Sequence, residues 1–141
     1  ERSYFIQAVL IGNAVFILVR GPALRAVASD SSLWGLACVT ALTQLAWGLY
    51  QELVYRGILQ TALVSRIGPA VGILIANTLF AFGPLHFYHF ASGTALPMFA
   101  GIFAIGLFFS LLYWRSGNLW IVGILHGIGD AYMDGLRRVP G

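Results

Sequence analysis

Charged residues are scarce in this 141-residue chain. They make up 9% of the sequence, none of them is lysine, and the mean hydropathy is +0.83. A soluble domain usually carries about 25% charged residues. A chain of this length could not hide so much apolar surface from water, because small domains leave much of their surface exposed. The composition therefore excludes an ordinary soluble domain and favours a lipid bilayer as the surroundings.

The chain has only one cysteine, and its basic residues do not form a cluster. The single cysteine, Cys38, excludes an internal disulfide and offers no metal-ligand spacing. The eight basic residues are all arginines scattered along the chain. Nucleic acid is therefore not expected as a partner, and the arginines suit the headgroups of membrane lipids better. Since the chain begins at Glu1 rather than at a methionine, we expect the N-terminus to be truncated.

Five apolar segments follow one another along the chain. A membrane-spanning helix needs about 20 residues, and these segments lack the apolar–polar alternation of outer-membrane strands. The sequence predicts an all-α fold, a polytopic transmembrane helical bundle of about five membrane helices. It would be a multi-pass integral protein of the cell membrane, with one membrane-embedded domain over residues 1–141 and a motif core over about 45–135. The segments are Tyr4–Val19, Leu33–Ser65, 70–86, Leu96–Trp114 and Leu119–Asp134.

Two boundaries in this pattern carry further expectations. Arg20-Gly21-Pro22 is predicted to close the first segment, and residues 23–32 then form a loop or a short interfacial piece. An α-helix rises about 1.5 Å per residue. At that rise the second segment would be longer than the membrane is thick if it stood upright. We expect it either to tilt strongly or to break near Gly48.

Ionisable side chains inside the apolar segments are costly in a membrane and are therefore functional candidates. Residues four apart share one helix face, so pairs with this spacing indicate three helices that each present one such face. The distances of the pairs from the intervening turns predict that the three faces meet at one depth. The pairs are Glu52 and Arg56, Phe82 and His86, and His126 and Asp130.

The residue types in these pairs indicate hydrolysis. A carboxylate beside an imidazole can take a proton from water, and a second imidazole with a hydrogen-bonding side chain can hold an oxyanion. Two histidines and one carboxylate are also the ligands of some zinc hydrolases. Two purely structural interpretations stay open at this point. Glu52 and Arg56 could be an ion pair that holds helices together, and His126 with Asp130 a satisfied core histidine.

The three pairs resemble the signature of the CPBP family, the CAAX proteases and bacteriocin-processing enzymes also called Abi. That signature is Glu-Glu-x-x-x-Arg, then Phe-x-x-x-His, then His-x-x-x-Asn or Asp, each on its own membrane helix. The order and the spacing match over about residues 45–135. The matching stretches here are Gln51-Glu52-Leu53-Val54-Tyr55-Arg56, Phe82-Gly83-Pro84-Leu85-His86 and His126-Gly127-Ile128-Gly129-Asp130.

The resemblance implies a glutamic intramembrane endopeptidase that cuts near the end of a membrane-anchored or lipidated protein or peptide. It implies that Glu52 and His86 activate water and that His126 and Asp130 form an oxyanion pocket. Arg56 would support the glutamate, and Phe82 would accompany His86. No cofactor is favoured, because an Asp beside His126 suits a hydrogen-bonding role. Zinc stays possible, and its ligands would then be Glu52, His86 and His126.

One residue departs from the family signature. Gln51 stands where the family has its first glutamate, the residue usually assigned as the water activator, and an amide cannot act as a base. We expect Glu52 to take the role. Otherwise Gln51 is an introduced inactivating substitution, or the chain is an inactive relative that serves as a binding or immunity protein in the membrane. A haem-binding or metal-binding membrane protein using the histidines is a further alternative.

Overall fold

The computed structural model of the chain describes residues 2–84, 86 and 95–133, and every regular element in them is helical. This confirms the predicted all-α fold class. The elements are α1 (Arg2–Ser29), a 3₁₀ turn (Ser31–Leu33), α2 (Trp34–Glu52), a π-helix (Leu53–Gln60), α3 (Thr61–Ile67), α4 (Pro69–Ala81), α5 (Ala95–Ser116) and α6 (Leu119–Met133).

Helix α1 continues through Pro22, so the expectation that the first segment closes at Arg20-Gly21-Pro22 was wrong. Proline removes one helical hydrogen bond, but helices in membranes tolerate that loss because neighbouring groups compensate for it. The helix ends instead just before Asp30, whose carboxylate accepts a hydrogen bond from the Ser32 backbone N–H at 2.9 Å. Hydrogen bonding by the Ser32 side chain, and after it by this backbone N–H, lowers the pKa of Asp30 below its ordinary value.

The second segment is one unbroken helical run, Ser31–Ile67, so the alternative of a break near Gly48 was wrong. It changes form after Glu52, where eight residues adopt the wider π-helix before α3 begins. The Thr61 hydroxyl donates a hydrogen bond to the Arg56 carbonyl, five residues earlier, at 3.0 Å. π-Helical turns inside longer helices are rare and frequently lie at functional sites.

Two helical segments in the described part of the chain are long and apolar enough to cross a membrane. They are Ser31–Ile67, with 37 residues, and Leu96–Ser116, with 21 residues. Pro69–Ala81 and Leu119–Met133 are apolar but shorter. Many large apolar side chains are exposed along these helices, Leu74 and Trp120 among them, which is the surface that contact with lipid requires.

The chain forms two compact units. The first consists of Glu1–Glu52 with Trp120–Gly141, and the second of Leu53–Leu119. In the first unit, α2 and α6 run antiparallel at very close range. A Cβ placed on Gly127 would lie 2.5 Å from Leu45 Cα, and a Cβ on Gly48 would lie 2.5 Å from the Gly127 nitrogen. Only glycine permits this approach, which is a common way for membrane helices to pack.

The second unit is held together by polar side chains that reach across to α5. The side-chain nitrogens of Asn77, Arg56 and Gln60 donate to three carbonyls on successive turns of that helix, at 2.8–2.9 Å. All three side chains are almost fully buried. Buried donors need acceptors, and these bonds fix the π-helix and α4 against one stripe of α5. The acceptors are the carbonyls of Phe103, Gly106 and Ser110.

Candidate active site

Glu52 and His126 form a close, buried side-chain pair in the first unit. His126 Nδ1 lies 2.6 Å from Glu52 Oε1. Glu52 is fully buried and His126 is 7% exposed. An ionised carboxylate can only accept, so Nδ1 carries the hydrogen and donates it. Charge-assisted bonds of this kind are short and roughly twice as strong as neutral ones.

The two residues meet because of how side chains leave a helix. In an α-helix each Cα–Cβ bond tilts toward the N-terminus. Leu49 lies opposite Gly123 and Leu45 lies opposite Gly127 in the antiparallel pair α2 and α6. The Glu52 side chain therefore leans back toward the level of Leu49. The His126 side chain leans back along α6 toward the same level, and the two arrive at one point.

Asp130 completes this arrangement one helical turn after His126. Its Oδ2 lies 3.5 Å from His126 Nε2, and its side chain is 30% exposed. At that distance the contact is looser than a good hydrogen bond, whose length is about 2.9 Å. His126 therefore lies between a tightly bonded, buried carboxylate and a looser, partly exposed one. Of the residues predicted for the site, the structure brings these three together within one unit.

Arg56 and His86 lie in the second unit, where both contact the ring of Phe80. The Arg56 guanidinium carbon is 4.1 Å from the ring centroid, and its Nη2 donates to the Gly106 carbonyl at 2.8 Å. The ring of His86 meets the same ring edge-on, with centroids 5.0 Å apart. Phe80 is 2% exposed. Sequence reasoning missed Phe80, because it is one of two phenylalanines between Asn77 and the Gly83-Pro84 turn and only Phe82 has the four-residue spacing to His86.

The four-residue spacing predicted that His86 and Phe82 share one helix face. In the structure they do not. Helix α4 ends at Ala81, and His86 follows in a tight turn in which its backbone N–H donates to the Gly83 carbonyl at 3.0 Å. Pro84 explains the difference, because proline lacks the N–H of a helix and disfavours helical geometry in the residue before it. Phe82 is 44% exposed and stacks on Phe99 at 5.1 Å.

The turn fixes the protonation pattern of the His86 ring. His86 Nδ1 lies 2.8 Å from the Phe80 carbonyl oxygen, which can only accept, so Nδ1 carries the hydrogen. In the neutral ring, Nε2 then holds the lone pair. A histidine held in this tautomer can receive a proton at Nε2, which is what a general base requires.

Gln51 is buried beside Glu52, but the two side chains differ in their hydrogen-bond partners. Its side chain is 3% exposed, and its Oε1 has no hydrogen-bond partner among the described residues. An unsatisfied buried carbonyl oxygen costs free energy. The amide therefore occupies the position of the family's first glutamate without the hydrogen bonds that a buried carboxylate would require.

The donor groups do not fit a metal ion. Both ring nitrogens of His126 face carboxylate oxygens, so neither is directed at an ion. A metal-binding histidine must point one ring nitrogen at the ion. Within the described ranges no three His, Cys, Asp or Glu side chains are grouped closely enough to hold a metal.

An open cleft of about 710 Å³ lies along α2 next to this arrangement, lined by Thr43, Gln44, Ala46 and Trp47. The Gln44 carbonyl oxygen lies 2.8 Å from the position that a Cβ on Gly127 would take. The cleft is therefore level with the His126 turn of α6. A cleft of this size is within the range of small-molecule and peptide sites.

Residues 31–132 match the family described as type II CAAX prenyl endopeptidase Rce1-like. The match covers most of the chain and includes α2, the π-helix and all three motif pairs. Neither the curated proteins nor the solved structures contain a match to this chain. The family is one of membrane-embedded peptidases that act on prenylated proteins, and it confirms the resemblance drawn from the motifs. This chain belongs to the type II CAAX prenyl endopeptidase Rce1-like family.

Proposed function

We propose that this protein is an active intramembrane endopeptidase. It hydrolyses a peptide bond near the C-terminus of a membrane-anchored, lipidated substrate. The observation that carries the proposal is the buried 2.6 Å contact between His126 and Glu52, with Asp130 on the other ring nitrogen. An acid and an imidazole held at this distance are the groups that general acid–base hydrolysis uses.

Glu52 is proposed as the general base. A water molecule held by its carboxylate gives up a proton to it while the water oxygen attacks the scissile carbonyl carbon. Because His126 Nδ1 donates to Oε1, the carboxylate is held in one orientation. Orientation of this kind is a large part of what catalytic groups contribute.

His126 and Asp130 are proposed as the oxyanion pocket. The Nε2–Asp130 contact is loose at 3.5 Å, so, with a hydrogen on both ring nitrogens of His126, a carbonyl oxygen of the substrate can approach and accept a hydrogen bond from Nε2. A preorganised donor in a dry site stabilises the developing negative charge. When the intermediate collapses, the C–N bond breaks and the proton returns from Glu52 to the leaving amine.

The roles of His86, Arg56, Gln51 and Phe82 rest on the family signature. His86 is proposed to assist in activating water, and its Nδ1–Phe80 hydrogen bond supports this by leaving Nε2 as the basic nitrogen. Arg56 is proposed to favour the ionised form of the glutamate through its positive charge. Gln51 and Phe82 are proposed as supporting residues.

We further propose that about five helices cross the membrane, with the whole of residues 1–141 forming one protease domain. Two segments already have the length and apolar character for a span, and the shorter apolar helices Pro69–Ala81 and Leu119–Met133 carry the same composition. Substrates would then be presented from the membrane itself, since the lipid group anchors them there. Membrane lipids are the other expected partner.

Cleavage of a lipidated peptide by the purified protein in lipid vesicles tests this function. The wild-type protein is expected to cut a fluorogenic peptide that ends in a prenylated Cys and three further residues. Glu52→Gln should lower kcat by about 100-fold or more, because it removes the base while keeping the shape of the side chain. Asp30→Asn makes the same chemical change at an exposed carboxylate outside the site and should leave cleavage unchanged.

Full activity of Glu52→Gln would contradict the assignment of the base. A wild-type protein that binds the peptide without cutting it would instead support the inactive binding or immunity protein. Inhibition of the wild type by a chelator, reversed by zinc, would contradict the metal-free mechanism.

A further inference from the structure

We infer that Arg20 binds the free C-terminal carboxylate of the substrate and thereby sets the distance from the chain end at which the enzyme cuts. This inference rests on the proposed function and adds a specificity determinant to it. Arg20 lies in α1, outside the residues matched to the family. It is therefore a property of this chain and not of the three motif pairs.

Arg20 is held at the C-terminal end of α6, the helix that carries the site. Its Nη2 donates a hydrogen bond to the Met133 carbonyl. The neighbouring residues of α1 support this position, because buried Ala23 packs in one apolar cluster with Tyr132 of α6. An arginine at a helix C-terminus is favoured by the negative end of the helix dipole, which explains why it is anchored there.

The anchoring leaves the Nε donor of Arg20 unused. A guanidinium has five N–H groups in a planar fork. The Nε atom of Arg20 is buried, and it has no acceptor in the part of the chain that the structure describes. No ion pair joins Arg20 to a carboxylate within those residues. A carboxylate is the ligand that such a fork binds best, through two parallel hydrogen bonds.

The spacing matches the substrate of the family. Met133 follows His126 by seven residues, which is about 10 Å along the helix and returns to nearly the same face. A CAAX sequence has three residues after the lipidated cysteine, and three extended residues span about 10 Å. A scissile bond at His126 therefore places the substrate's terminal carboxylate at the end of α6, within reach of Arg20.

A comparison of two peptides that differ only at the C-terminus tests the inference. Both carry a prenylated Cys and three further residues, and one ends in a free carboxylate while the other ends in an amide. Wild-type protein in phosphatidylcholine vesicles is expected to favour the carboxylate by about tenfold or more in kcat/KM, the size of a charge-assisted hydrogen bond. Binding of both peptides is also measured by fluorescence anisotropy, so the preference is read whether or not they are cut.

Three variants separate carboxylate binding from simple support of α6. Arg20→Gln should lose the preference through a fall in kcat/KM for the carboxylate peptide alone, and Arg20→Lys should recover part of it. Arg25→Gln, an identical change at an exposed arginine of the same helix, should keep the preference. A preference that survives Arg20→Gln, an equal loss on both peptides, or no preference in the wild type would overturn the inference. Binding that favours the carboxylate while neither peptide is cut would uphold Arg20 and refute the protease.

Discussion

At the scale of single residues, the neighbours Gln51 and Glu52 are buried to a similar extent but differ in their hydrogen bonds. Both side chains are almost completely buried. Glu52 accepts a hydrogen bond from His126, whereas Oε1 of Gln51 accepts none from any described residue. A charge is tolerated in such surroundings only with a partner. The contrast explains why a carboxylate can persist at position 52 and supports Glu52 as the base.

The effect of replacing Gln51 should therefore depend on whether the new side chain is charged or apolar. Gln51→Glu introduces a second buried carboxylate beside Glu52 and should destabilise the protein by several kcal/mol. Gln51→Met, which removes an unsatisfied oxygen at similar volume, should leave the melting temperature close to that of the wild type. Thermal unfolding in detergent and the peptide assay measure both effects. Faster cleavage by Gln51→Glu, with no loss of stability, would instead assign the base to position 51.

At the scale of elements, the contact between α2 and α6 determines the geometry of the site. The helices approach until backbone atoms nearly touch at Gly127 and Gly48. Because side chains lean toward the N-terminus of each helix, an antiparallel pair at this distance brings Glu52 and His126 together. The hydrogen bond between Glu52 and His126 thus depends on Gly127, because a side chain there would keep the two helices apart.

Gly127→Ala should separate the two helices and break that hydrogen bond. The added methyl group would lie 2.5 Å from Leu45 Cα and 2.8 Å from the Gln44 carbonyl oxygen, and backbone atoms cannot move aside as a flexible side chain can. A displacement of about 1 Å at a catalytic group can cost about 100-fold in rate, and we expect a loss of this size in kcat.

Gly101→Ala is the matched control, because a Cβ there would meet no atom within 4 Å. Both changes raise helix propensity by about 1 kcal/mol, so the difference between them reports the helix contact alone. Equal cleavage rates for the two variants would show that the close approach does not position the site.

At the scale of the whole molecule, the chain presents apolar surface where a soluble protein would present charge. Ile105, midway along the Leu96–Ser116 segment, is 44% exposed. That segment has 21 residues, or about 30 Å of helix, which equals the thickness of the hydrocarbon core. In a bilayer this side chain would face lipid, whereas Ser65, close to Arg66 at the end of α3, would face water.

Chemical labelling of single cysteines tests this arrangement. In a Cys38→Ser background, Ile105→Cys should resist a membrane-impermeant maleimide in vesicles and react once the protein is denatured. Ser65→Cys, also exposed in the structure, should react when the maleimide reaches its side of the membrane. Only a thiolate in contact with water reacts. Rapid labelling of Ile105→Cys in intact vesicles would contradict a span through α5.

The sequence by itself determined the fold class, the lipid surroundings and the family, because composition and four-residue spacing are local properties that can be read along the chain. It also identified Glu52, His126 and Asp130 as candidates, since ionisable residues are rare in apolar helices. Only the tertiary structure decided that Glu52 bonds to His126, because a contact between helices depends on how closely they approach. The end of α4 at Ala81 and the burial of Phe80 against Arg56 and His86 were likewise decided by packing and by Pro84, and periodicity carries no information about either.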